Sequence, residues 1–244
     1  MRLKGKIVLV TGASRGLGLA ISRAFATEGA AVAMLARNAA ALALAAEEVG
    51  GLPVVCDVSN PVDVRSGFAQ VQAHFGGLDA LINNAALGYP QPIEEATDDL
   101  VQSQVEVNLL GPLYCMREAI PMLRARGGGD IINVTTEAVL DPYPFLGLYA
   151  ATKSALETLS AAVRNEVGGT DIRVAVYRSG RVNGTFSRDW DPKMAQRARV
   201  AAKAAGFYER AGEAVTVEVA ANHILELVLL DRSARIDLAE PGDN

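Results

Sequence analysis

Short apolar runs recur along the whole chain, and segments with helical spacing of apolar residues separate them. Each run has five or six residues, mostly Val, Ile, Leu and Ala, without a regular alternation of apolar and polar residues. Such runs are typical of strands that are buried on both faces, as in a parallel sheet covered by helices. The predicted strands are 7–11, 31–36, 54–58, 78–82, 131–135 and 172–177.

The segments between these strands have the spacing of amphipathic helices. For example, Val64, Phe68 and Val71 lie at positions i, i+4 and i+7, and the helix should end at Gly76 and Gly77. A longer helix is predicted over 97–126 with a break at Gly111-Pro112. Further helices are predicted over 148–167 and 216–230, and 184–213 has no strand pattern, which indicates a helical insertion or a lid.

Regular alternation of strand and helix predicts one α/β domain over residues 1–244, with no linker or repeat. We expect a single-domain Rossmann fold, that is, a doubly wound parallel sheet with helices on both faces. In such sheets ligands bind beyond the carboxyl ends of the strands, so functional residues should follow each strand.

Composition narrows the class of partner. The net charge of −5 and the scattered Lys and Arg residues argue against nucleic acid. Cys56 and Cys115 form no CxxC pair, which favours two reduced thiols, and we find no metal-binding motif. The apolar run near the N-terminus is too short for a signal peptide or membrane span, and no later run reaches about 18 residues. We therefore expect a cytoplasmic protein with neither a membrane nor a nucleic acid as partner.

A glycine-rich turn, TGASRGLG, joins the first strand to the first helix. Gly12, Gly16 and Gly18 would let the backbone approach a ligand closely, and the following helix would offer free N–H groups to a pyrophosphate. This placement in a βαβ unit favours a dinucleotide site. The same residues also match the G-x-S-x-G motif of serine hydrolases, with Ser14 as nucleophile and His74 or His223 as the only histidine bases.

The end of the second strand bears on the choice of cofactor. NAD sites usually have an acidic residue there, whereas this chain has Arg37, which could pair with a 2′-phosphate. Arg15 could add a second charge, so we expect NADP(H) rather than NAD(H). Asp57, after the third strand, could accept a hydrogen bond from adenine or could cap the following turn.

Polar groups that could carry chemistry follow the fourth and fifth strands. Tyr149 and Lys153 are four residues apart and so share one face of a helix. Thr135 and Thr136 end the fifth strand, Asn108 lies in the preceding helix, and the segment NNAA begins at Asn83.

Taken together, these motifs resemble the short-chain dehydrogenase/reductase family over residues 5–185. The resemblance implies that Tyr149 is the general acid/base and that Lys153 binds the nicotinamide ribose and lowers the pKa of the tyrosine. It implies that Asn108 helps to hold a water in a proton relay, that Thr136 binds the substrate oxygen, and that Asn83 supports the cofactor loop. The implied reaction is the interconversion of a carbonyl and a secondary alcohol by hydride transfer.

The pattern and the resemblance together define a set of positions expected to bind the cofactor. Val182 is the better candidate for a nicotinamide contact, and Thr185 is a weaker candidate for the carboxamide and phosphate. The full set is Gly12, Ser14, Arg15, Gly16, Leu17, Gly18, Arg37, Asp57, Val58, Asn83, Ala85, Tyr149, Lys153, Gly180, Val182 and Thr185.

The chain departs from the family pattern in several places. Thr136 stands where a serine is usual, with Thr135 as the alternative if the loop register differs, and Ser179 replaces a proline before Gly180. The segment before Thr185 is one residue longer, and 234–244 lacks the usual extended strand. These departures leave open a regulator that binds NADP without turnover.

The substrate is expected to be a small carbonyl or alcohol compound of hydrophobic character. Tyr143, Phe145 and Leu146 precede the tyrosine and would line an apolar pocket, which Phe186 and Trp190 could close. The alternative is that these side chains pack the core or a subunit interface. By resemblance, the helices over 98–126 and 148–167 would form a homodimer or homotetramer.

Overall fold

The computed structural model describes residues 1–210, 213–231 and 237–239. Seven parallel strands form one sheet in the order β3-β2-β1-β4-β5-β6-β9. The expected doubly wound Rossmann sheet is therefore confirmed. The strands are β1 Ile7–Thr11, β2 Ala31–Ala36, β3 Leu52–Val55, β4 Ala80–Asn83, β5 Gly129–Thr136, β6 Ile172–Ser179 and β9 Leu238–Ala239.

Helices cover both faces of this sheet. Alternate residues of β1 explain why: Val8 and Val10 join one apolar core, while Ile7 and Leu9 join the other. The helices are α1 Gly16–Thr27, α2 Ala39–Val49, α3 Pro61–Phe75, α4 Asp98–Val105, α5 Gly111–Ala125, α6 Gly147–Glu166, α7 Pro192–Ala204, α8 Phe207–Arg210 and α9 Val217–Leu229. The first core contains α1, α2 and α9 side chains, and the second contains those of α3, α5 and α6.

Several predicted boundaries differ from the structure by a few residues, and two of these differences have a clear local reason. The third strand ends at Val55 instead of residue 58, because the Asp57 carboxylate accepts hydrogen bonds from the backbone N–H and hydroxyl of Ser59 and turns the chain. The break in the long helix precedes Gly111 and takes the form of a π-helical turn, Glu106–Leu110.

The expectation of no strand near the C-terminus was wrong. Leu238 and Ala239 pair in parallel with Val176 and Tyr177 of β6. A strand of two residues is too short to produce a period in the sequence, so the pattern could not reveal it. Residues 234–236 and 240–244 lie outside the described part of the chain.

The predicted insertion over 184–213 contains α7 and α8, and its residues 211–212 lie outside the described part. A parallel pair of short strands, β7 Val182–Asn183 and β8 Val215–Thr216, joins its two ends. We call residues 184–210 the cover segment. Across the described residues, no helix combines the length and the apolar character needed to cross a membrane.

Candidate active site

A cleft of about 1150 Å³ opens beyond the carboxyl ends of the parallel strands. It is where the fold predicts a ligand. The predicted site residues that line it are Gly12, Ser14, Arg15, Leu17, Gly18, Arg37, Asp57, Val58, Ala85, Thr136, Tyr149, Lys153, Gly180, Val182 and Thr185. The remaining predicted residues, all of them described, are Gly16, Asn83 and Asn108, and these do not line the cleft.

The glycine turn is packed so closely that side chains are excluded from it. A Cβ atom on Gly18 would lie 2.2 Å from the backbone oxygen of Gly12. Gly12 itself has a φ of +67°, and a Cβ there would lie 2.9 Å from the Cα of Ala85. Gly16, at φ +56°, faces Thr185, whose hydroxyl would lie 2.6 Å from an added Cβ. The turn thus brings backbone from three parts of the chain together.

Helix α1, which follows this turn, lacks a side-chain cap at its N-terminus. Its N-cap residue Arg15 makes no capping hydrogen bond, and its first turn contains no acidic residue. By contrast, Asn38 caps α2 and Asn60 caps α3 through side-chain hydrogen bonds. The first N–H groups and the positive end of the α1 dipole therefore suit an anion such as a pyrophosphate.

Thr11 and Asn84, which were not among the predicted site residues, hold this region together. The Thr11 hydroxyl accepts hydrogen bonds from the backbone N–H groups of Asn84 and Ala85, both at 3.0 Å. The Asn84 side-chain amide donates to the Thr11 carbonyl oxygen at 2.9 Å. The ends of β1 and β4 are thereby joined where the cleft begins.

Asn83, the predicted residue of the same doublet, lies in the sheet instead. Its side-chain amide donates to Asn133 at 2.8 Å, and Asn133 donates to the Ser160 hydroxyl at 2.8 Å. This buried polar chain connects β4, β5 and α6 below the cleft. Because side chains alternate along a strand, adjacent residues of the doublet must face different surroundings, and strand register would have been needed to assign them.

The π-helical turn places Asn108 between the cleft loop and α6. Its side-chain oxygen accepts from the Leu87 N–H at 2.8 Å, and its amide donates to the Leu87 carbonyl at 2.7 Å. The same amide donates to the Thr152 hydroxyl at 3.1 Å. The side chain is fully buried, so it fixes the loop after β4 relative to α6.

Tyr149 and Thr136 face each other at the end of β5. Burial raises the pKa of Tyr149 to about 12, and a polar interaction with the Thr136 side chain acts in the opposite direction. The Thr136 hydroxyl also accepts a hydrogen bond from the Ala138 N–H at 3.2 Å. Thr135, the alternative to Thr136, donates its hydroxyl to Glu157 at 2.8 Å and is 1% exposed. Thr136 therefore suits a substrate oxygen better.

Lys153 lies one helical turn beyond Tyr149 and is almost completely buried, at 1% exposure. Its ammonium donates to the Val134 carbonyl oxygen at 2.8 Å, which ties α6 to β5. Burial lowers the pKa of Lys153 to about 8. Burying a cation costs free energy, so its presence at this depth favours a functional role for Lys153.

The two arginines expected at the cofactor end each approach a carboxylate. Arg37 lies 3.8 Å from Asp57, and Asp57 also caps the turn at Ser59, which is one of the two roles considered for it. Arg15 reaches across the cleft to Asp189 of the cover segment, at 2.5 Å. All these charges are at least one-third exposed, so the pairs are weak and exchangeable.

Aromatic side chains enclose the other end of the cleft. The Phe186 ring lies 5.1 Å from that of Tyr149, and Trp190 donates its indole N–H to the Gly88 carbonyl at 2.6 Å. The hydroxyls of Tyr143 and Tyr208 are 2.8 Å apart. Leu146 also lines the cleft, but Phe145 does not: its ring packs under Arg197, with the guanidinium carbon 5.7 Å from the ring centre.

The cover segment supplies cleft residues that the sequence analysis did not single out. Phe207, Tyr208 and Arg199 line the cleft together with the predicted Phe186 and Trp190. The Tyr143–Phe207 ring centres are 4.8 Å apart. Only the general expectation of a lid over 184–213 indicated this region, since the contacts join residues far apart in sequence.

Ser14 has no histidine beside it in the cleft. Among the described lining residues there is no His: His74 packs on Phe75, and His223 lies 3.1 Å from the hydroxyl of Tyr177. A serine nucleophile needs a base within hydrogen-bond reach. The geometry therefore does not favour the hydrolase interpretation of the glycine turn.

Comparison with known proteins gives the same assignment as the motifs. The family model for short chain dehydrogenases matches residues 6–195. The chain belongs to the short-chain dehydrogenase/reductase family, a family of oxidoreductases.

A curated relative and two solved structures illustrate the similarity. The chain is 38% identical over 168 residues to a 3beta-hydroxysteroid dehydrogenase of Mediterraneibacter gnavus, and this stretch is 66% of the chain and 60% of that relative. The L-sorbose reductase of Gluconobacter frateurii, solved with NADPH and L-sorbose, superposes with a TM-score of 0.85, 28% identity and coverage of 100% and 98% of the two chains. A 3-ketoacyl-(acyl-carrier-protein) reductase of Brucella melitensis, solved with NADH, superposes with a TM-score of 0.85 and 26% identity. The superposition covers 98% of this chain and 97% of that chain.

Proposed function

We propose that this protein is an NADP(H)-dependent oxidoreductase that interconverts a carbonyl and a secondary alcohol, with Tyr149 as general acid/base. The observation that carries this proposal is the convergence of Tyr149, Thr136 and Lys153 on one cleft, opposite the glycine turn and the uncapped helix α1. Family membership supports the reaction class.

The residues present fit a nicotinamide dinucleotide. The backbone at Gly12 and Gly18 and the start of α1 would hold the pyrophosphate, since no Cβ or capping side chain obstructs them. Gly180, Val182 and Thr185 line the cleft near the proposed nicotinamide position. When bound, the nicotinamide supplies or accepts the hydride. One solved neighbour contains NADPH and another NADH, so the choice between them depends on this chain's own residues.

Arg15 and Arg37 favour NADP(H) over NAD(H). Both guanidinium groups line the cofactor end and are about half exposed, so a 2′-phosphate could reach them. A 2′-phosphate would add charge-assisted hydrogen bonds that exceed the present weak contacts with Asp189 and Asp57.

The chain's catalytic groups would move one proton and orient one oxygen. In the direction of reduction, the Tyr149 hydroxyl donates its proton to the substrate oxygen, and the Thr136 hydroxyl donates a hydrogen bond to the same atom. The Lys153 ammonium would favour the phenolate that results and so would act against burial, which raises the pKa of Tyr149. Asn108 positions the loop at Leu87 and the helix that bears Tyr149. The cover segment would act as a lid that limits the access of water.

The test combines cofactor titration with turnover. Purified protein is titrated with NADPH and NADH by nicotinamide fluorescence, and wild type, Tyr149→Phe and the control Tyr114→Phe are assayed with a panel of hydrophobic ketones. We expect tighter binding of NADPH than of NADH, and a loss of turnover in Tyr149→Phe of at least about 100-fold that far exceeds any change in NADPH affinity.

Each other outcome has a definite meaning. Equal turnover in Tyr149→Phe and Tyr114→Phe would exclude Tyr149 as the acid/base. Binding of NADPH without turnover of any ketone would favour the non-catalytic regulator. Binding of neither nucleotide would refute the proposal as a whole.

A further inference from the structure

The charges around the cleft differ in sign from those of the chain as a whole. The chain has a net charge of −5. The described residues that line the cleft nevertheless include six cationic side chains, against three carboxylates, which are Asp57, Glu137 and Asp189. The cations are Arg15, Arg37, Lys153, Arg181, Arg188 and Arg199. Such a surplus of positive charge attracts anionic ligands.

The proposed cofactor accounts for only part of this positive charge. Arg15 and Arg37 lie at the cofactor end, where a 2′-phosphate and pyrophosphate would bind. Arg199 projects from α7 of the cover segment, beside the aromatic side chains at the opposite end. Burial raises the pKa of Tyr143, and the charge of Arg199 acts in the opposite direction, which places Arg199 near this phenol.

Arg199 has unused hydrogen-bonding capacity. Its Nε donates to the Ala195 carbonyl oxygen one turn back on α7, at 3.3 Å. Among the described residues no carboxylate forms an ion pair with it, whereas Arg197, two residues earlier on the same helix, is paired bidentately with Glu95 at 2.6 and 2.7 Å. The two terminal nitrogens of Arg199 are therefore available to a ligand.

A second donor lies in the same region. The hydroxyls of Tyr143 and Tyr208 are hydrogen-bonded to each other at 2.8 Å. Each phenol has one hydrogen, so whichever hydroxyl donates within the pair, the other keeps a hydrogen that it can donate elsewhere. A planar carboxylate accepts such donors well, and Arg199 and Tyr208 are both exposed enough for a ligand to reach them.

We propose that the substrate of this site is a hydrophobic ketone, or the matching alcohol, that carries a carboxylate bound by Arg199 at the aromatic end of the cleft. This inference rests on the proposed function, since it identifies the class of compound on which Tyr149 acts. The apolar part of the substrate would lie against Phe186 and Trp190, between the reacting oxygen and the carboxylate.

The experiment uses aryl ketones with a terminal carboxylate on linkers of increasing length, each paired with its neutral carboxamide. Wild type should show a kcat/KM at least about tenfold higher for the best carboxylate than for its carboxamide, mainly through KM. Arg199→Gln should reduce this ratio to about one, chiefly through a fall in kcat/KM for the carboxylate, and Arg199→Lys should keep part of the preference. The wild-type preference should shrink as salt concentration rises.

Two control variants distinguish specific binding of the carboxylate at Arg199 from general attraction of anions to the positively charged cleft. Lys203→Gln removes a charge from the same helix outside the cleft, and Arg188→Gln removes one from the cleft lining. Neither should remove the preference. A ratio near one in wild type, a ratio unchanged in Arg199→Gln, or an equal loss in Arg188→Gln would each overturn the inference.

A binding measurement keeps this test independent of turnover. Biphenyl-4-carboxylate and biphenyl-4-carboxamide, which contain no ketone, are titrated calorimetrically into wild type and Arg199→Gln. Tighter binding of the carboxylate, lost in Arg199→Gln, would support the anionic subsite even if no ketone were reduced, in which case the proposed reaction alone would fail. Equal binding of both probes by wild type would overturn the subsite.

Discussion

The two ends of the cleft differ in what forms them: backbone atoms form the cofactor end, and side chains form the aromatic end. At the cofactor end, backbone atoms of Gly12, Gly18 and Ala85 pack against one another, and buried Thr11 bonds to their neighbours. At the aromatic end, side chains such as Trp190 and Tyr208 reach across open space from the cover segment, and several are partly exposed. Main-chain packing resists any added atom, whereas side-chain contacts can be exchanged one by one. Substitutions at the first end should therefore have large effects, and those at the second end small and graded effects.

The largest effect is expected for Gly18→Ala. The new Cβ would lie 2.2 Å from the Gly12 oxygen and 2.6 Å from the Asn84 amide nitrogen, and backbone cannot move aside cheaply. We expect a loss of about 3 kcal/mol in the free energy of unfolding, a fall in Tm of about 6–12 °C, and a loss of NADPH binding. Thermal denaturation and fluorescence titration measure these effects.

Gly147→Ala is the matched control for this substitution. Gly147 begins α6, and no atom lies within 4 Å of the position of its Cβ. Alanine should be neutral or slightly stabilising there. A Gly18→Ala variant as stable as Gly147→Ala would show that the turn is not held by backbone packing.

Lys153, located where the two ends meet, should give a pH-dependent effect. Burial lowers its pKa from 10.5 to about 8, so between these values the unfolded chain binds more protons than the folded one. The stability contribution from this group is therefore complete above about pH 10.5 and is lost as the pH falls through about 8. We expect Lys153→Met to be more stable than wild type at pH 7, by up to about 3 kcal/mol, with the gain vanishing towards pH 10.5.

Denaturant unfolding at a series of pH values measures this gain. Lys4→Met, at an exposed position, should follow wild type throughout. If the difference in the free energy of unfolding between Lys153→Met and wild type stays constant with pH, burial of the ammonium group is not what lowers the stability of wild type.

The smallest effect is expected for Asp189→Asn, which removes the partner of Arg15 on the cover segment. Because both groups are about half exposed, the pair is weak, and its loss leaves Arg15 free for the proposed 2′-phosphate. We expect the Kd for NADPH to fall about two- to fivefold at low salt and to change little at high salt. The Kd for NADH should stay constant, as should that for NADPH in the surface variant Asp99→Asn. Weaker NADPH binding by Asp189→Asn would show that the ion pair between Arg15 and Asp189 supports NADPH binding and does not compete with it.

The same contrast explains which features the sequence could predict. The glycine turn, the parallel strands and the shared helical face of Tyr149 and Lys153 follow from local spacing, which is fixed by backbone geometry. The sequence could not show that Asn84 rather than its neighbour joins Thr11, because that depends on strand register. It could not pair Arg15 with Asp189, since 174 positions separate them.

Phe145 illustrates a further kind of failure. Hydrophobic character placed it in the pocket, but its backbone has a φ of +70°, in the left-handed region that such a residue rarely adopts. Its ring packs under Arg197 instead of lining the cleft. A side chain's hydrophobicity predicts burial of some kind, but the direction of that side chain depends on a turn conformation that the sequence does not reveal.

The π-helical turn Glu106–Leu110 has a consequence for insertions and deletions in this protein. The Gly111 N–H bonds to the Glu106 oxygen five residues back, so the turn holds one residue more than an α-helix would. Removing a single residue here would give an unbroken α-helix and would leave α4 and α5 facing nearly as before, because the π-helical turn absorbs the extra residue, but the residues inside the turn would shift. Asn108 would then lose its contacts with Leu87 and Thr152. In an alignment of related sequences, a one-residue gap at this point would therefore mark a site rebuilt around a different residue.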